Sequence, residues 1–137
     1  MAVRRLFILA FVFNAASAAA QDNLVARGET VFALCEGCHI VGHVDPAITA
    51  KKAGPHLNDL FGRVPGGLPE PMYSLALVNF GKEHIWDEAT LTAFLSYPTK
   101  KALDGSNMKF DGLANEEDIN ALLAYLATFD KDGMAPK

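Results

Sequence analysis

The most informative stretch of this sequence is Cys35-Glu36-Gly37-Cys38-His39. This is a C-x-x-C-H string, the attachment signature of a c-type haem. On a helix, cysteines three residues apart lie on one face, so that both thiols can add to the two vinyl groups of one porphyrin edge. His39, four residues after Cys35, rises from the same face toward the iron. A redox disulfide or a zinc site is the alternative use of such a pair, but the flanking sequence is helical and poor in strand signals.

An iron bound by His39 has a second coordination position on its other side. This position is either occupied by another residue or left open. The candidate residues for this second side are His43, His56, His84, Met72, Met108 and Met134. Met108 is favoured because it lies in the polar loop 105–110, 69 residues beyond His39, which lets the chain circle the ring. A methionine in such a loop has no obvious packing role. A histidine ligand and an open position are the alternatives.

The N-terminus has the three parts of a secretory signal peptide. Arg4 and Arg5 form a positive head, residues 6–13 are apolar, and residues 14–20 are small and end in Ala18-x-Ala20. The apolar stretch is short for a membrane span, which needs about 20 residues. We therefore expect a cleaved signal peptide at 1–20 and a single domain at 21–137, with no stable membrane insertion after cleavage.

Composition excludes several other classes of protein. The 137 residues are 50% hydrophobic and 20% charged, as in one ordinary globular domain. A net charge of −4, with no basic run longer than two, argues against a nucleic-acid partner. Two cysteines are too few for a multi-bridge scaffold. Cleavage removes two arginines and leaves 10 basic and 16 acidic residues, so the mature charge of −6 argues against a uniformly basic docking face.

Hydrophobic periodicity predicts an all-α chain of about four to five helices with long loops. Asp87 is a predicted N-cap, and Asn115 is another, followed by three acidic residues that suit a helix N-terminus. The apolar face of the last helix runs from Ile119 to Phe129. The predicted elements are helices at 24–38, 72–80, 88–96 and from 116 onward, a short turn near 47–51, and loops at 43–71 and 100–113.

The motifs of residues 24–130 occur in a characteristic order. They are Gly28-x-x-x-Phe32, Cys35-x-x-Cys38-His39, Gly54-Pro55-His56-Leu57, Phe61-Gly62-Arg63, Tyr73, Trp86, Leu95, Pro98, Gly105-Ser106-Asn107-Met108, Phe110, and Leu122 with Tyr125. In this order and spacing the chain resembles the class I cytochromes c, specifically the small bacterial periplasmic members of the c2/c550 type. The resemblance implies a periplasmic protein whose helices and loops wrap one haem c, attached through two thioethers.

The resemblance also implies roles for individual residues. His39 and Met108 are expected to ligate the iron, and the Pro55 carbonyl to accept a hydrogen bond from the His39 imidazole. Gly28 and Phe32 are expected at the close crossing of the first and last helices, against Leu122 and Tyr125. The residues expected to bind the cofactor are Cys35, Cys38, Pro55, Leu57, Arg63, Tyr73, Trp86, Phe94, Leu95, Ser106 and Phe110, with Arg63, Tyr73 and Trp86 bonding the haem propionates.

Three residues depart from the family pattern. Phe94 replaces a tyrosine that usually bonds near the axial methionine sulfur, Leu77 replaces an asparagine, and Ser106 replaces a threonine. We therefore expect fewer hydrogen bonds near that sulfur and an altered reduction potential.

The function implied by the resemblance is that of a one-electron carrier rather than an enzyme. Expected partners are redox proteins such as a cytochrome bc1-type complex, a terminal oxidase, a reaction centre or a periplasmic dehydrogenase, and the carrier is expected to be a monomer. The candidate lysines for steering a partner are Lys51, Lys52, Lys100, Lys101 and Lys109. Alternatives are a dedicated cytochrome subunit of a dehydrogenase or oxidase, and a ligand-binding or peroxidase-like haem protein.

Overall fold

The computed structural model describes residues 15–69 and 73–133. Within these ranges the chain forms α-helices and one isolated parallel bridge, between Ile40 and His56, so the all-α prediction is confirmed. The two shortest helices are single turns. The helices are α1 (Ala15–Phe32), α2 (Pro46–Thr49), α3 (Leu75–Phe80), α4 (Glu88–Leu95), α5 (Thr99–Ala102) and α6 (Glu116–Leu126).

The first helix ends earlier than predicted. α1 stops at Phe32, and the residues that follow form consecutive tight turns instead of a helix that continues to residue 38. The Cys35 N–H bonds the Phe32 carbonyl at 2.7 Å, and the His39 N–H bonds the Cys35 carbonyl at 2.8 Å. These turns preserve the i to i+4 relation of Cys35 and His39 without a regular helix.

Other boundaries also differ from the prediction. α1 begins at Ala15 and not near residue 24, and α3 begins at Leu75 and not at residue 72. The stretch predicted as loop at 100–113 begins inside α5, because the N–H groups of Lys101 and Ala102 both bond the Pro98 carbonyl. Phe129 lies beyond the end of α6 at Leu126, although its spacing continues the apolar face.

The predicted signal peptide falls mostly on residues 1–14, outside the described residues, as do the candidate ligands Met72 and Met134. α1 runs through the predicted cleavage position between Ala20 and Gln21, and residues 17–23 are exposed. In the described parts of the chain, no helix has both the length and the apolar character needed to cross a membrane.

Both predicted helix caps are present. The Asp87 carboxylate accepts the Thr90 N–H at 2.7 Å, and the Asn115 side-chain oxygen accepts the Glu117 N–H at 2.9 Å. The Thr90 hydrogen bond favours the ionised carboxylate and lowers the pKa of Asp87. These caps define the starts of α4 and α6, whose buried faces carry much of the core.

α1 and α6 cross at Gly28, as the sequence predicts. A Cβ atom on Gly28 would lie 2.0 Å from the Ala121 carbonyl oxygen and 2.6 Å from the Tyr125 Cβ, so only glycine permits this approach. The Phe32 and Tyr125 rings pack beside the crossing, with centroids 5.5 Å apart. The exposed Arg27 guanidinium adds ion pairs to Glu117 and Asp118, each at 2.8 Å.

The buried hydrophobic residues form one cluster between the α1–α6 pair and α4. Its members are Phe32, Leu60, Trp86, Leu91, Phe94, Leu95, Leu113, Ile119, Leu122, Leu123 and Leu126. Several of these side chains also form the wall of an internal cavity.

Candidate functional site

The cavity has a volume of about 430 Å³ and is lined by residues from nearly every part of the domain. Every residue predicted to bind the cofactor or the iron lines it: Cys35, Cys38, His39, Pro55, Leu57, Arg63, Tyr73, Trp86, Phe94, Leu95, Ser106, Met108 and Phe110. The volume lies within the range of roughly 300–1,000 Å³ that is typical of ligand sites. The structure thus brings the complete predicted set together.

The His39 imidazole is held in one orientation. Its Nδ1 lies 2.8 Å from the Pro55 carbonyl oxygen. A carbonyl can only accept, so Nδ1 carries the proton and Nε2 keeps a lone pair in the neutral ring. Burial lowers the pKa of His39 and favours that neutral form, although the Pro55 hydrogen bond opposes the shift. His39 therefore presents an unprotonated nitrogen, the form that binds metals.

Gly54 fixes the position of the same ring from the other side. A Cβ at this residue would lie 2.4 Å from His39 Cε1 and 2.7 Å from Nδ1. The imidazole therefore packs directly on the backbone at Gly54. The sequence analysis placed Gly54 in a motif without assigning it to the site, although its position next to Pro55 is the signal that identifies it.

The two thiols lie beside His39 at the edge of the cavity. Cys35 is half-buried and Cys38 is exposed. Burial raises the pKa of the Cys35 thiol to about 11, so that this thiol is protonated at neutral pH in the folded chain. Among the described residues, no three His, Cys, Asp or Glu side chains form a cluster that could hold a metal ion.

Met108 enters the cavity from the loop between α5 and α6. Its N–H lies 3.2 Å from Ser106 Oγ, and the Ser106 N–H bonds the Leu103 carbonyl at 3.2 Å. Gly105 has a φ of +85°, a conformation that glycine adopts readily and that turns the chain here. Local hydrogen bonds therefore hold the backbone from which the thioether projects.

The polar side of the cavity is built around Arg63. Its guanidinium donates to the carbonyls of His56 and Asn58 at 3.1 Å each. The Trp86 N–H bonds the Arg63 carbonyl at 2.8 Å, and the Gly62 N–H bonds the Trp86 carbonyl at 2.9 Å. This backbone pairing places Arg63 beside Trp86. Both residues line the cavity, as does Tyr73.

An aromatic wall lies behind Trp86. The Phe94 ring meets the Trp86 ring edge-on with centroids 5.1 Å apart, and the Phe80 ring is 5.9 Å from it. The lining residues not predicted from the sequence are Leu34, Ala53, Gly54, Leu60, Val64, Gly66, Ser74, Leu77, Leu91, Asn107, Lys109, Leu122 and Leu126. Leu122 was expected at the helix crossing, and Leu77 was noted only because it replaces the asparagine of the family pattern.

These residues fit the haem that the C-x-x-C-H string predicts. The cavity combines two thiols, an oriented neutral imidazole, a thioether, apolar walls, and a polar side around Arg63. Imidazole with thioether is an axial ligand set found in cytochromes c. The Gly54 backbone packs against the His39 imidazole, so the ring cannot rotate toward Gly54.

The fold and this site together define a class I cytochrome c fold. The structure is similar to that of cytochrome cH from Methylobacterium extorquens, with a TM-score of 0.63 and 31% sequence identity over 76% of this chain and 97% of that one. No family model matches the sequence.

Curated relatives identify the family. The chain is 41% identical to cytochrome c2 from Afifella marina, over 82% of this chain and 87% of the relative. It is 39% identical to cytochrome c2 from Blastochloris viridis, over 93% and 92%, and 41% identical to cytochrome c-550 from Bradyrhizobium diazoefficiens, over 79% and 74%. The chain belongs to the cytochrome c2 family, whose members are electron-transfer proteins rather than enzymes.

A hydroxyl added at Phe94 is expected to change the reduction potential of the haem-loaded protein. Phe94 is buried in the cavity wall, so Phe94→Tyr introduces a donor into an apolar environment. A hydrogen bond of about 0.5–1.5 kcal/mol corresponds to about 20–60 mV for a one-electron couple. Redox titration measures the shift. Phe129→Tyr, which adds the same group outside the cavity lining, is the control, and equal potentials for parent and Phe94→Tyr would refute the expectation.

Proposed function

We propose that this chain is a soluble one-electron carrier whose haem is attached through Cys35 and Cys38 and ligated by His39 and Met108. The haem supplies reversible one-electron chemistry between its ferric and ferrous states. The observation that supports this proposal most strongly is the convergence of all four residues on one cavity, with the His39 ring already oriented by Pro55.

Each element of the site has a separate task in this proposal. Pro55 holds His39 so that Nε2 points away from the hydrogen-bonded edge. The Met108 thioether would be the second ligand of the iron, and a thioether ligand favours the reduced state and so raises the reduction potential. The apolar walls limit water around the site, and a closed site leaves no position for a substrate. Arg63, Tyr73 and Trp86 would pair with the propionates and compensate their buried charge.

We place the carrier in the bacterial periplasm. The support is the N-terminal sequence, with its positive head, short apolar stretch and small-residue cleavage motif. Partners for a carrier there are membrane-bound or periplasmic redox proteins, such as a bc1-type complex, a terminal oxidase, a reaction centre or a dehydrogenase. Transient electron-transfer contacts of this kind are small, about 1,200 Å² or less. A monomer that dissociates readily suits that task.

Absorption spectroscopy of the purified haem-loaded protein tests the proposal. We expect a far-red charge-transfer band in the ferric state, which requires methionine on the iron, and reversible one-electron titration. We also expect the ferrous protein not to bind carbon monoxide at neutral pH, because both axial positions are taken. Absence of the band together with rapid carbon monoxide binding would contradict the proposal and favour a ligand-binding haem protein.

A further inference from the structure

The sequence contains three Asp-Gly pairs, which are Asp104-Gly105, Asp111-Gly112 and Asp132-Gly133. In such a pair the amide nitrogen of the glycine can attack the aspartate side chain, because glycine has no side chain that blocks the approach. All three glycines have a φ between +75° and +85°. The three pairs therefore differ in the folded protein through their surroundings, and not through the pair itself or the conformation of its glycine.

The Asp104-Gly105 pair is open to this attack. It lies in the middle of a four-residue turn, which the Ser106 N–H closes by bonding the Leu103 carbonyl at 3.2 Å. Asp104 and Gly105 are both exposed. Within residues 15–69 and 73–133, neither the peptide group that joins them nor the Asp104 carboxylate has a hydrogen bond or an ion pair. The peptide group can therefore turn and bring the Gly105 nitrogen to the Asp104 side chain.

The Asp111-Gly112 pair is fixed by the chain around it. Gly112 packs against the backbone of Tyr97, where a Cβ would lie 2.6 Å from the carbonyl carbon. The Leu113 N–H, one residue further on, bonds the Leu95 carbonyl at 2.8 Å. The peptide group of this pair cannot turn without disturbing the contact with Tyr97.

The reacting groups of the Asp132-Gly133 pair are engaged. The Gly133 N–H bonds the Asp130 carbonyl at 2.9 Å, so this hydrogen bond must break before the nitrogen can attack. The Asp132 carboxylate lies 2.6 Å from the Lys131 ammonium, and the Asp132 N–H bonds the Asp130 side chain at 2.9 Å. Local interactions thus hold both partners of the reaction apart.

We infer that Asp104 is a site of isoaspartate formation, and that this modification displaces Met108. In the first step the Gly105 nitrogen bonds to Cγ of the protonated Asp104 carboxyl group, whose hydroxyl leaves as water with the amide proton. Water then opens the cyclic imide at the former main-chain carbonyl, which becomes a carboxylate and releases a proton. The main chain now runs through Cγ, and the product has the mass and charge of the parent.

Isoaspartate lengthens the backbone of the loop that carries Met108, because the side-chain methylene of Asp104 becomes part of the main chain. Ser106 connects this position to Met108. Its N–H closes the turn, and its Oγ accepts the Met108 N–H at 3.2 Å. The longer chain opens the turn and moves Ser106 and Met108 together. Loss of Met108 from the iron rests on the proposed function, whereas the isomerisation does not.

Incubation of the haem-loaded protein at neutral pH and physiological temperature tests the inference. Peptide mapping, with methylation by an isoaspartyl methyltransferase, measures isoaspartate at each pair. We expect Asp104 to react about fivefold faster than Asp132, which is the effect of one backbone hydrogen bond that must first break. Asp111 should also react more slowly than Asp104. In denaturant the three rates should be similar, because only the fold distinguishes the pairs.

Two results would overturn the assignment of Asp104. The first is a native rate at Asp111 or Asp132 that equals or exceeds the rate at Asp104. The second is a lead of Asp104 that persists unchanged in denaturant, because the local sequence and not the fold would then set the rate.

Asp104→Glu and Asp111→Glu are matched variants that test the effect on Met108. Glutamate keeps the charge but would have to form a larger ring, which forms far more slowly. The parent and Asp111→Glu should lose the far-red ferric band in proportion to isoaspartate at Asp104, whereas Asp104→Glu should keep it. Equal loss in Asp104→Glu, or a band that survives in the purified isomerised fraction, would overturn the link to Met108. Absence of the band from fresh protein would instead contradict the proposed function.

Discussion

Replacing Met108 by alanine is expected to abolish the far-red ferric band and to lower the reduction potential by on the order of a few hundred mV, within the roughly 0.8 V span that axial ligands set. A thioether ligand favours the ferrous state, so its removal lowers the reduction potential. Met108 projects from a loop that is held by hydrogen bonds at Ser106 and Leu103. The opened position should then bind carbon monoxide in the ferrous state.

Two further variants distinguish the role of Met108 as an iron ligand from its role in packing. Met108→Leu keeps the side-chain volume, which cores tolerate well, and should reproduce the spectral and potential changes of the alanine variant with less loss of stability. Met108→His should also lose the band and lower the potential, but it should not bind carbon monoxide readily because a ligand remains. Persistence of the far-red band in Met108→Leu would show that Met108 is not the axial ligand.

Gly28→Ala is expected to destabilise the crossing of α1 and α6 strongly. The new Cβ would lie 2.0 Å from the Ala121 carbonyl oxygen. That oxygen belongs to the α6 backbone, so the two helices must separate. Overpacking costs about 1–3 kcal/mol, and more where the neighbour cannot yield. The better helix propensity of alanine returns only about 1 kcal/mol. Chemical denaturation followed by circular dichroism measures the net loss.

Gly37→Ala is the control for that loss. A Cβ on Gly37 meets no atom within 4 Å, so the same methyl group should change the free energy of unfolding little. Truncating Tyr125 to alanine in the Gly28→Ala background should not restore stability, because the closest clash is with backbone. Similar stability for Gly28→Ala and the parent would mean that the helices are farther apart in solution.

Local chemical patterns made much of this molecule predictable. One cavity is lined by residues of the C-x-x-C-H string, by Pro55 and by Met108, as the sequence suggested. The Pro55 carbonyl accepts the hydrogen bond from His39 that was expected. Gly28 was identifiable because a glycine within a helical segment is unfavourable unless something packs against it. Asp87 and Asn115 were recognisable as caps, because a cap depends on hydrogen bonds to residues only two or three positions away.

Features that depend on distant residues were not predictable. The sequence gives no indication that α1 stops at Phe32, because the tight turns that follow use the same i to i+4 spacing as a helix. The surroundings of the lysines were not predictable either. The Lys101 ammonium lies over the Tyr97 ring. Lys109 lines one surface depression with Asp104 and Asp111, and this placement depends on how the loop folds.

The pairing of α1 with α6 also sets an order of events during synthesis. The hydrogen bond from Arg27 to Asp118 joins positions 91 residues apart, and the Gly28 crossing lies beside it. A chain that emerges N-terminus first exposes Cys35 and Cys38 long before α6 exists to pack against α1, and such distant contacts close slowly. Folding then half-buries Cys35 and suppresses its thiolate. The crossing of the two helices therefore forms only after both cysteines have been synthesised.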